Sequence, residues 1–510
     1  MSNYSNLPGV NMTVKDGQLF VSSDKTGNSL LIIAEAKTNR TLPEEPVYIS
    51  TEEELKANFG GFFYLGELNP IAAEWKVAKE AGVSNIYLLA LDGVDLKAKF
   101  VNLQDKLFNL MADLSISHIV LSGLHADDII PALVAADFEG VSDINDVAGV
   151  EVFNTFTATT APATLTVTVP VTLTAKVADT EPAVVTINAT KTIEDLIPLL
   201  NGEMAKALGV VGSEAKITFE LVAGKVVAKS TEAVTFTGTA VLTALALTAI
   251  PAVVQGVGNP AVMLAAYAER QSLEVGNCIA YATTSAPANT SLAAIKAHVD
   301  GLVARNNQIS KYLQVIVGPQ VAITVPGSLR PQWVSGVTQY ACLVNGLQPQ
   351  IAPTNQTLPA AHGLRYNFSL RQLNALVGNK YVTFRTKNNR IIVIDGVTTA
   401  PDLHVGDEVM KSDFTRLSTL RITNHMVKAI RESCDAFIGM PNEFPVYNSM
   451  NTSIKAVIKD AIDKGIIQDA RYSITLGNSL DAATVNMTIL PQFELRAIDV
   501  TIGLSTPDSF

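Results

Sequence analysis

Apolar and polar residues alternate at both ends of the chain. Val10, Met12 and Val14 alternate with Asn11 and Thr13 just after a Leu7-Pro8-Gly9 turn, and Ile498, Val500, Ile502 and Leu504 alternate with Asp499, Thr501 and Gly503. A period of two predicts half-buried strands. A strand at a chain end either completes the sheet of its own domain or, because its edge carries unpaired donors and acceptors, pairs with another copy by β-augmentation.

Between these ends the period switches repeatedly. Residues 30–34 predict a short apolar strand. Residues 51–59 predict a helix in which Thr51 and Glu54 form a capping box, and residues 70–81 a second helix with Pro70 at its first position and Gly82 at its end. A strand at 86–91, a helix at 103–114 and a strand at 116–122 follow. Strands alternating with helices predict parallel βαβ units.

From Thr155 to Ala249 the residues Thr, Ala and Val dominate. Alternation from Leu165 to Val177 predicts a long strand or a bent pair, with Pro170 at a sheet edge. A helix capped by Thr192 spans 193–208, and strands at 217–222 and 226–229 flank an Ala223-Gly224 turn. The region reads as an inserted, mostly-β domain. Helices at 260–273 and 292–305 and strands at 278–283 and 313–317 restore the α/β pattern, so two halves of one α/β domain flank the insertion. From 356 onward come a helix at 370–376, a hairpin of 380–385 with 390–395 around Lys387-Asn388-Asn389, and a helix capped by Ser412 that runs to about Phe437. A helix at 452–464 with Asn451 as cap and Gly465 as stop, and strands at 472–476, 485–490 and 497–504, finish the chain. The predicted class is α/β (α+β) and multidomain. An arm, 1–26, precedes a discontinuous core domain, 27–150 with 256–355. The insertion is 151–255, and a C-terminal α+β domain, 356–510, ends in an arm at 492–510.

The chain has 510 residues, 48% of them apolar and 17% charged, enough for buried cores and extended subunit interfaces. A net charge of −11 argues against a nucleic-acid backbone as the main partner. The charge is uneven: residues 1–150 hold 10 Lys/Arg against 21 Asp/Glu, and residues 361–440 hold 11 against 7. An acidic end and a basic stretch can attract one another across copies, or each can be ordinary solvated surface. Cys278, Cys342 and Cys434 form no CxxC, which fits buried thiols in a reducing cytoplasm. Met1-Ser2-Asn3-Tyr4 opens no signal peptide, and the apolar window 241–254 is too short and interrupted to span a membrane.

The search for catalytic chemistry finds little. Gly256-Val-Gly258-Asn-Pro-Ala261 matches a dinucleotide fingerprint in outline, but Pro251 interrupts the strand that should precede it, and a Gly/Pro linker explains it better. The six histidines lack HxxxH or HExxH spacing, and the acids from Asp137 to Asp146 lack the spacing of a calcium loop. No cofactor, metal site or catalytic residue is predicted. In the helix ending near Phe437, Leu417, Leu420, Val427, Ile430 and Cys434 fall on one face. Arg421, Asn424, Lys428, Arg431 and Asp435 fall on the other. In the next helix Ile454, Val457, Ile458 and Ala461 face inward, and Lys455, Lys459 and Asp463 outward. Such faces are solvated, or they dock a partner of complementary charge.

The ordered set of segments resembles the contractile-tail sheath proteins of bacteriophages. The likeness runs through the Leu7-Pro8-Gly9-Val10 arm and the Glu44-Glu45-Pro46-Val47-Tyr48-Ile49-Ser50 stretch with the helix ending Asn58-Phe59-Gly60. It continues in the helix leading to Val83-Ser84-Asn85-Ile86-Tyr87-Leu88-Leu89, and in the segment from Gly363-Leu364 through Leu370, Leu373 and Leu376 to the strand from Arg390 to Thr398. It ends in the C-terminal helices and strands. Where the family carries a Gly-Ala-Arg-Thr-like run, this chain reads Gly396-Val397-Thr398-Thr399. The resemblance implies a structural polymer without catalysis. Hexameric rings would stack helically around a tail tube, meeting baseplate and tail terminator proteins, with no direct nucleic-acid contact and no membrane insertion. Copies would assemble in the host cytoplasm and end in the virion tail. It implies that Val10, Met12, Val14, Ile498, Val500, Ile502 and Leu504 form exchanged arm strands. The receiving sheet would hold Val382, Phe384, Ile391, Val393, Val485, Met487 and Ile489, and Arg421, Lys428, Arg431, Lys455 and Lys459 are candidates to face the tube. The insertion would project outward. A sheath of a bacteriocin or secretion device, a β-rich adhesin and a cofactor-binding enzyme are the competing readings.

Overall fold

In the computed structural model the apolar run at 30–34 lies at the centre of a sheet, buried on both faces as a parallel sheet requires. The structure describes residues 29–109, 116–141, 143–157, 162, 164–167, 170–177, 183–207, 217–222, 225–230, 234–247, 253–273, 278–305, 307–318, 320–405, 408–441, 443–476 and 483–494. The chain opens with β1 (Ser29–Glu35), β2 (Val47–Tyr48), α1 (Glu52–Asn58), the hairpin β3 (Phe63–Tyr64) and β4 (Glu67–Leu68), α2 (Pro70–Glu80), β5 (Asn85–Leu91), α3 (Leu96–Asn109) and β6 (His118–His125). The predicted capping box is present: Thr51 Oγ1 accepts from the Glu54 amide at 3.2 Å, and Glu54 Oε2 accepts from the Thr51 amide at 3.1 Å. Gly82 sits past the end of α2 at φ +83°, where a side chain would be strained. Helix α3 starts earlier than the predicted 103, because Asp95 Oδ1 accepts from the Ala98 amide at 2.7 Å and so caps it.

The chain divides into two compact units. One holds Gly93–Asp105 and Asp128–Met263; the other holds the described residues up to Asp92, Lys106–Asp127 and those from Leu264 on. The first of these contains β7 (Ile130–Leu133), β8 (Val150–Thr157), β9 (Val171–Val177), β10 (Ala183–Ile187), α4 (Ile193–Ala207), β11 (Ile217–Val222), β12 (Lys225–Ser230), β13 (Val234–Thr237), α5 (Thr239–Leu245) and β14 (Val253–Gly258). Two antiparallel sheets, β10-β9-β13 and β11-β12-β8-β14-β7, account for these strands. Leu173, Leu196, Leu200, Met204, Phe219 and Phe236 share one core. The alternation from 165 to 177 breaks at Pro170: Leu165 bridges Lys191, and β9 begins at Val171. Gly256 and Gly258 are strand residues rather than the expected linker. A Cβ at Gly258 would come within 2.8 Å of Leu133 and 2.9 Å of Phe100, so the glycines admit close packing.

The chain continues with α6 (Pro260–Gln271), β15 (Ile279–Thr283), α7 (Leu292–Val303), β16 (Leu313–Ile316), β17 (Gln320–Ile323), β18 (Gln332–Ser335), α8 (Val337–Gly346), β19 (Gly363–Leu364), α9 (Leu370–Gly378) and β20 (Tyr381–Val382), which from Leu264 on belong to the other unit. Its main sheet has the order β2-β5-β1-β6-β15-β16-β20, parallel except for β2. The strands on either side of the insertion therefore meet at β6 and β15. His118 on β6 bonds Tyr281 Oη through Nδ1 at 2.9 Å, and burial pushes its imidazole down to about 3, so it is a neutral core residue.

The last elements are β21 (Phe384–Lys387), β22 (Arg390–Val393), β23 (Leu403–Val405), β24 (Glu408–Met410), α10 (Leu417–Asp435), α11 (Phe444–Asp463), β25 (Ile467–Leu476) and β26 (Ala483–Pro491). The expected strand 380–385 is two strands: β20 closes the seven-stranded sheet, and the hairpin β21–β22 begins after Thr383. Ser412 caps a single 3-10 turn, Asp413–Thr415, and α10 starts beyond it.

Candidate subunit interface

Helices α10 and α11 pack against each other and carry the hairpin β25–β26 on their shared face. Ile422, Met426, Ile430, Ile454, Ile458, Met487 and Ile489 form the core of this layer. Tyr472, Ile474 and Val485 pack against it, and Arg471, Ser473, Thr475, Asn486 and Thr488 point away, which is the alternation of a sheet with one buried face. Helix α11 begins eight positions before the predicted Thr452, with Pro445 in its first turn, where its missing N–H costs nothing. Asn451 is therefore not a cap. It lies inside α11 and accepts a hydrogen bond from Tyr472 Oη, whose phenol burial pushes above its usual value.

Among the described residues the layer is unevenly filled. Neighbouring strands are about 4.8 Å apart, so two strands span roughly 10 Å, while two packed helices of about 10 Å diameter span roughly twice that. A cleft of about 780 Å³ opens beside β25, lined by Phe444, Tyr447, Asn451 and Lys455 of α11 and by Tyr472 and Ile474 of β25. Among the described residues β25 pairs with β26 alone, so its outer edge has free backbone donors and acceptors along this cleft. Phe444 at the mouth is 76% exposed, and Ile438 and Met440 in the preceding turn are exposed too. These apolar residues escaped the sequence reading. Their signal was a Phe-Pro helix start with an apolar side chain that no helical face absorbs.

The predicted site residues separate into groups. Val10, Met12, Val14, Ile498, Val500, Ile502 and Leu504 lie outside the described residues. Val485, Met487 and Ile489 lie on β26. Phe384, Ile391 and Val393 belong to β21–β22, and Val382 to the edge of the seven-stranded sheet, so three sheets of this chain share the seven receiving residues. Arg421 is committed internally: its guanidinium donates to the carbonyls of Leu347 at 2.5 Å, Gln348 at 3.0 Å and Ile351 at 3.4 Å, at the end of α8. Burial lowers its pKa. Arg431 donates to the Leu273 carbonyl at 3.2 Å, and Lys428 lies 3.8 Å from Glu432. Lys455 and Lys459 on α11 are exposed, and Lys455 lines the cleft. Asn424, expected on the polar face, is buried, because the first half of α10 is enclosed on all sides.

Among the described residues no group of three or more His, Cys, Asp or Glu is placed to hold a metal ion, and no helix is long and apolar enough to cross a membrane. The three cysteines are free and buried, and burial pushes the Cys434 thiol up to about 11.

No family model and no curated protein matches the sequence. Solved structures do match. A chain of the anti-feeding prophage baseplate aligns over 98% of this chain and 99% of its own length, with a TM-score of 0.50 at 10% identity. A chain of the contracted helical sheath of the same prophage aligns over 99% of each, with a TM-score of 0.47 at 11% identity. A sheath tail protein from Listeria innocua aligns over 92% of this chain and 93% of its own, with a TM-score of 0.39 at 12% identity. At these identities the likeness is one of fold.

Proposed function

For a chain that shares the fold of an anti-feeding prophage assembly over nearly its whole length, we propose the role of a contractile sheath subunit. The observation that carries this reading is the α10–α11 layer, whose two-stranded sheet leaves a cleft and, among the described residues, an unpaired strand edge beside it. The alternating segments at residues 10–14 and 498–504 have the pattern to occupy such an edge in neighbouring copies. Copies linked in this way form hexameric rings stacked helically around a tail tube, ending on a baseplate at one end and a terminator at the other. The exchanged strands act as hinges while the rigid units repack. Differences of about a few kcal/mol per subunit between two packings, summed along the polymer, drive the tube forward. The work is mechanical, and no residue is assigned a catalytic role.

The tail of a bacteriophage is the first setting proposed, with copies assembled in the host cytoplasm and carried in the virion. A phage-related injection device without a genome is the second, favoured by the match to an anti-feeding prophage chain. Negative-stain electron microscopy of the purified chain, alone and lacking residues 1–14, tests the common reading. Tubes or stacked rings that vanish with the deletion are expected. A monomer in both samples, at high concentration and with tube protein added, would overturn it. Particles purified from the producing cell distinguish the settings by whether they contain packaged DNA.

A further inference from the structure

The hairpin β21–β22 carries charge that its own fold leaves unanswered. Asn388 and Asn389 lie at φ +50° and +58°, the left-handed pair that a two-residue hairpin turn of type I′ requires. That turn sets the register: Lys387 pairs with Arg390, and Arg385 with Ile392. Side chains alternate along a strand, so Arg385, Lys387 and Arg390 share one face of the ribbon. Like charges directly opposite one another destabilise an antiparallel pair. Lys387 and Arg390 are exposed, and among the described residues none of the three forms an ion pair. The Nε of Arg385 is buried without a hydrogen-bond partner. Strand β19 packs beside β21, and Arg365 next to it, whose guanidinium donates to the neutral Gln320 side chain and lies over the Tyr366 ring without a carboxylate partner among the described residues, adds a fourth cation to the neighbourhood.

The matching charge lies elsewhere in the same unit. Glu44, Glu45, Glu52, Glu53 and Glu54 crowd the stretch that leads into α1, where Lys56 and the buried Lys106 are the lysines paired with them. Glu44, Glu45 and Glu53 are exposed. Within one copy the two charged surfaces form no ion pair among the described residues.

We propose that β21–β22 is an electrostatic latch between copies, its cationic face docking on the acidic stretch at residues 44–54 of a second copy. The inference rests on the polymer reading above. A contact between two different surfaces of identical chains is heterologous, and repeated it generates rings or helical filaments rather than closed dimers, as a sheath needs. Bringing carboxylates to the hairpin relieves the Lys387–Arg390 repulsion that each isolated copy retains.

Charge reversal on the full chain tests this. K387E/R390E keeps a like-charge pair across the turn and brings it beside Arg385 and Arg365, so the melting temperature of the monomer is expected not to fall. The concentration needed for assembly at about 0.1 M salt, where screening acts over roughly 10 Å, is read by sedimentation and negative stain. K387E/R390E is expected to raise it on the order of tenfold, E45K/E53K likewise, and the four-residue combination to return it to within about threefold of the wild type. Wild-type assembly that K387E/R390E leaves unchanged would overturn the latch while leaving the polymer intact. So would a combination as defective as either pair, which would move the hairpin's partner to the tube. A wild-type chain that stays monomeric removes the polymer reading and the latch together.

Discussion

Glu74 shows what a single residue can hold in such a chain. It sits on α2, 2% exposed, with Oε1 accepting from Ser335 Oγ at 2.9 Å and Ser122 Oγ at 3.3 Å and with Oε2 unpartnered. Burial raises its pKa from 4.5 to about 7, against the lowering effect of the neighbouring hydroxyls, and Cys342 is a buried thiol nearby. A raised pKa means that the native state binds the proton more tightly than the unfolded chain. Its stabilising contribution is therefore full below about pH 4.5 and is lost as pH rises through about 7, a change on the order of 3 kcal/mol. Glu74→Gln keeps an acceptor for both serines and cannot ionise. Urea midpoints of the variant are expected to fall less than those of the wild type between about pH 5 and about pH 8, leaving the variant the more stable at the upper end. Parallel midpoints would show that Glu74 does not titrate in this window. Residues whose partners are local, such as Thr51 and Glu54, were legible in the sequence. Glu74 and Arg421 were not, because Ser335 and Leu347 lie far along the chain and no local spacing points to them.

At the scale of elements, period and caps predicted most of the regular structure, and the misses have identifiable causes. Local periodicity places the start of α3 late because Asp95, its cap, precedes a polar first turn. The start of α11 falls late in the sequence pattern because Asn451 resembles a cap, although its side chain is bonded to Tyr472. Residues 380–385 look like one strand in the sequence because nothing local separates Val382, which pairs with β16, from Phe384, which pairs with β22. The same locality hid the cleft beside β25, which exists only when α11 and β25 are brought together. Phe444 at its mouth is a surface residue of one copy, so Phe444→Ser is expected to change monomer stability by less than about 0.5 kcal/mol. If an arm strand seats there, the lost burial is about 1.5–3 kcal/mol per contact, and assembly is expected to need roughly tenfold more protein. A variant that melts early yet assembles normally would place Phe444 in the monomer's packing and remove it from the interface.

For the molecule as a whole, composition located a change at about residue 151, whereas the compact unit begins its main segment at Asp128 and also takes in Gly93–Asp105. The difference has a physical origin. Strand β7 belongs with β14, more than a hundred residues later, and Phe100 touches the position of Gly258, so membership is decided by pairing rather than by the local abundance of Thr and Val. Each unit buries its own apolar residues, one around Leu200 and Phe236, the other around the seven-stranded sheet and the α10–α11 layer. Units with separate cores lose their structure separately, which makes a single two-state transition the wrong expectation for the monomer. Calorimetry of the full chain is expected to resolve two transitions. Leu200→Ala, at a fully buried position, is expected to lower one of them by an amount equivalent to about 2–5 kcal/mol. The other should stay in place, and it alone should respond differently in Glu74→Gln as pH is raised through the Glu74 window, because Glu74 lies in that unit. One transition shifted by both perturbations would mean that the units fold as one cooperative body. On the proposed sheath reading, contraction would then move whole subunits without any rearrangement inside them.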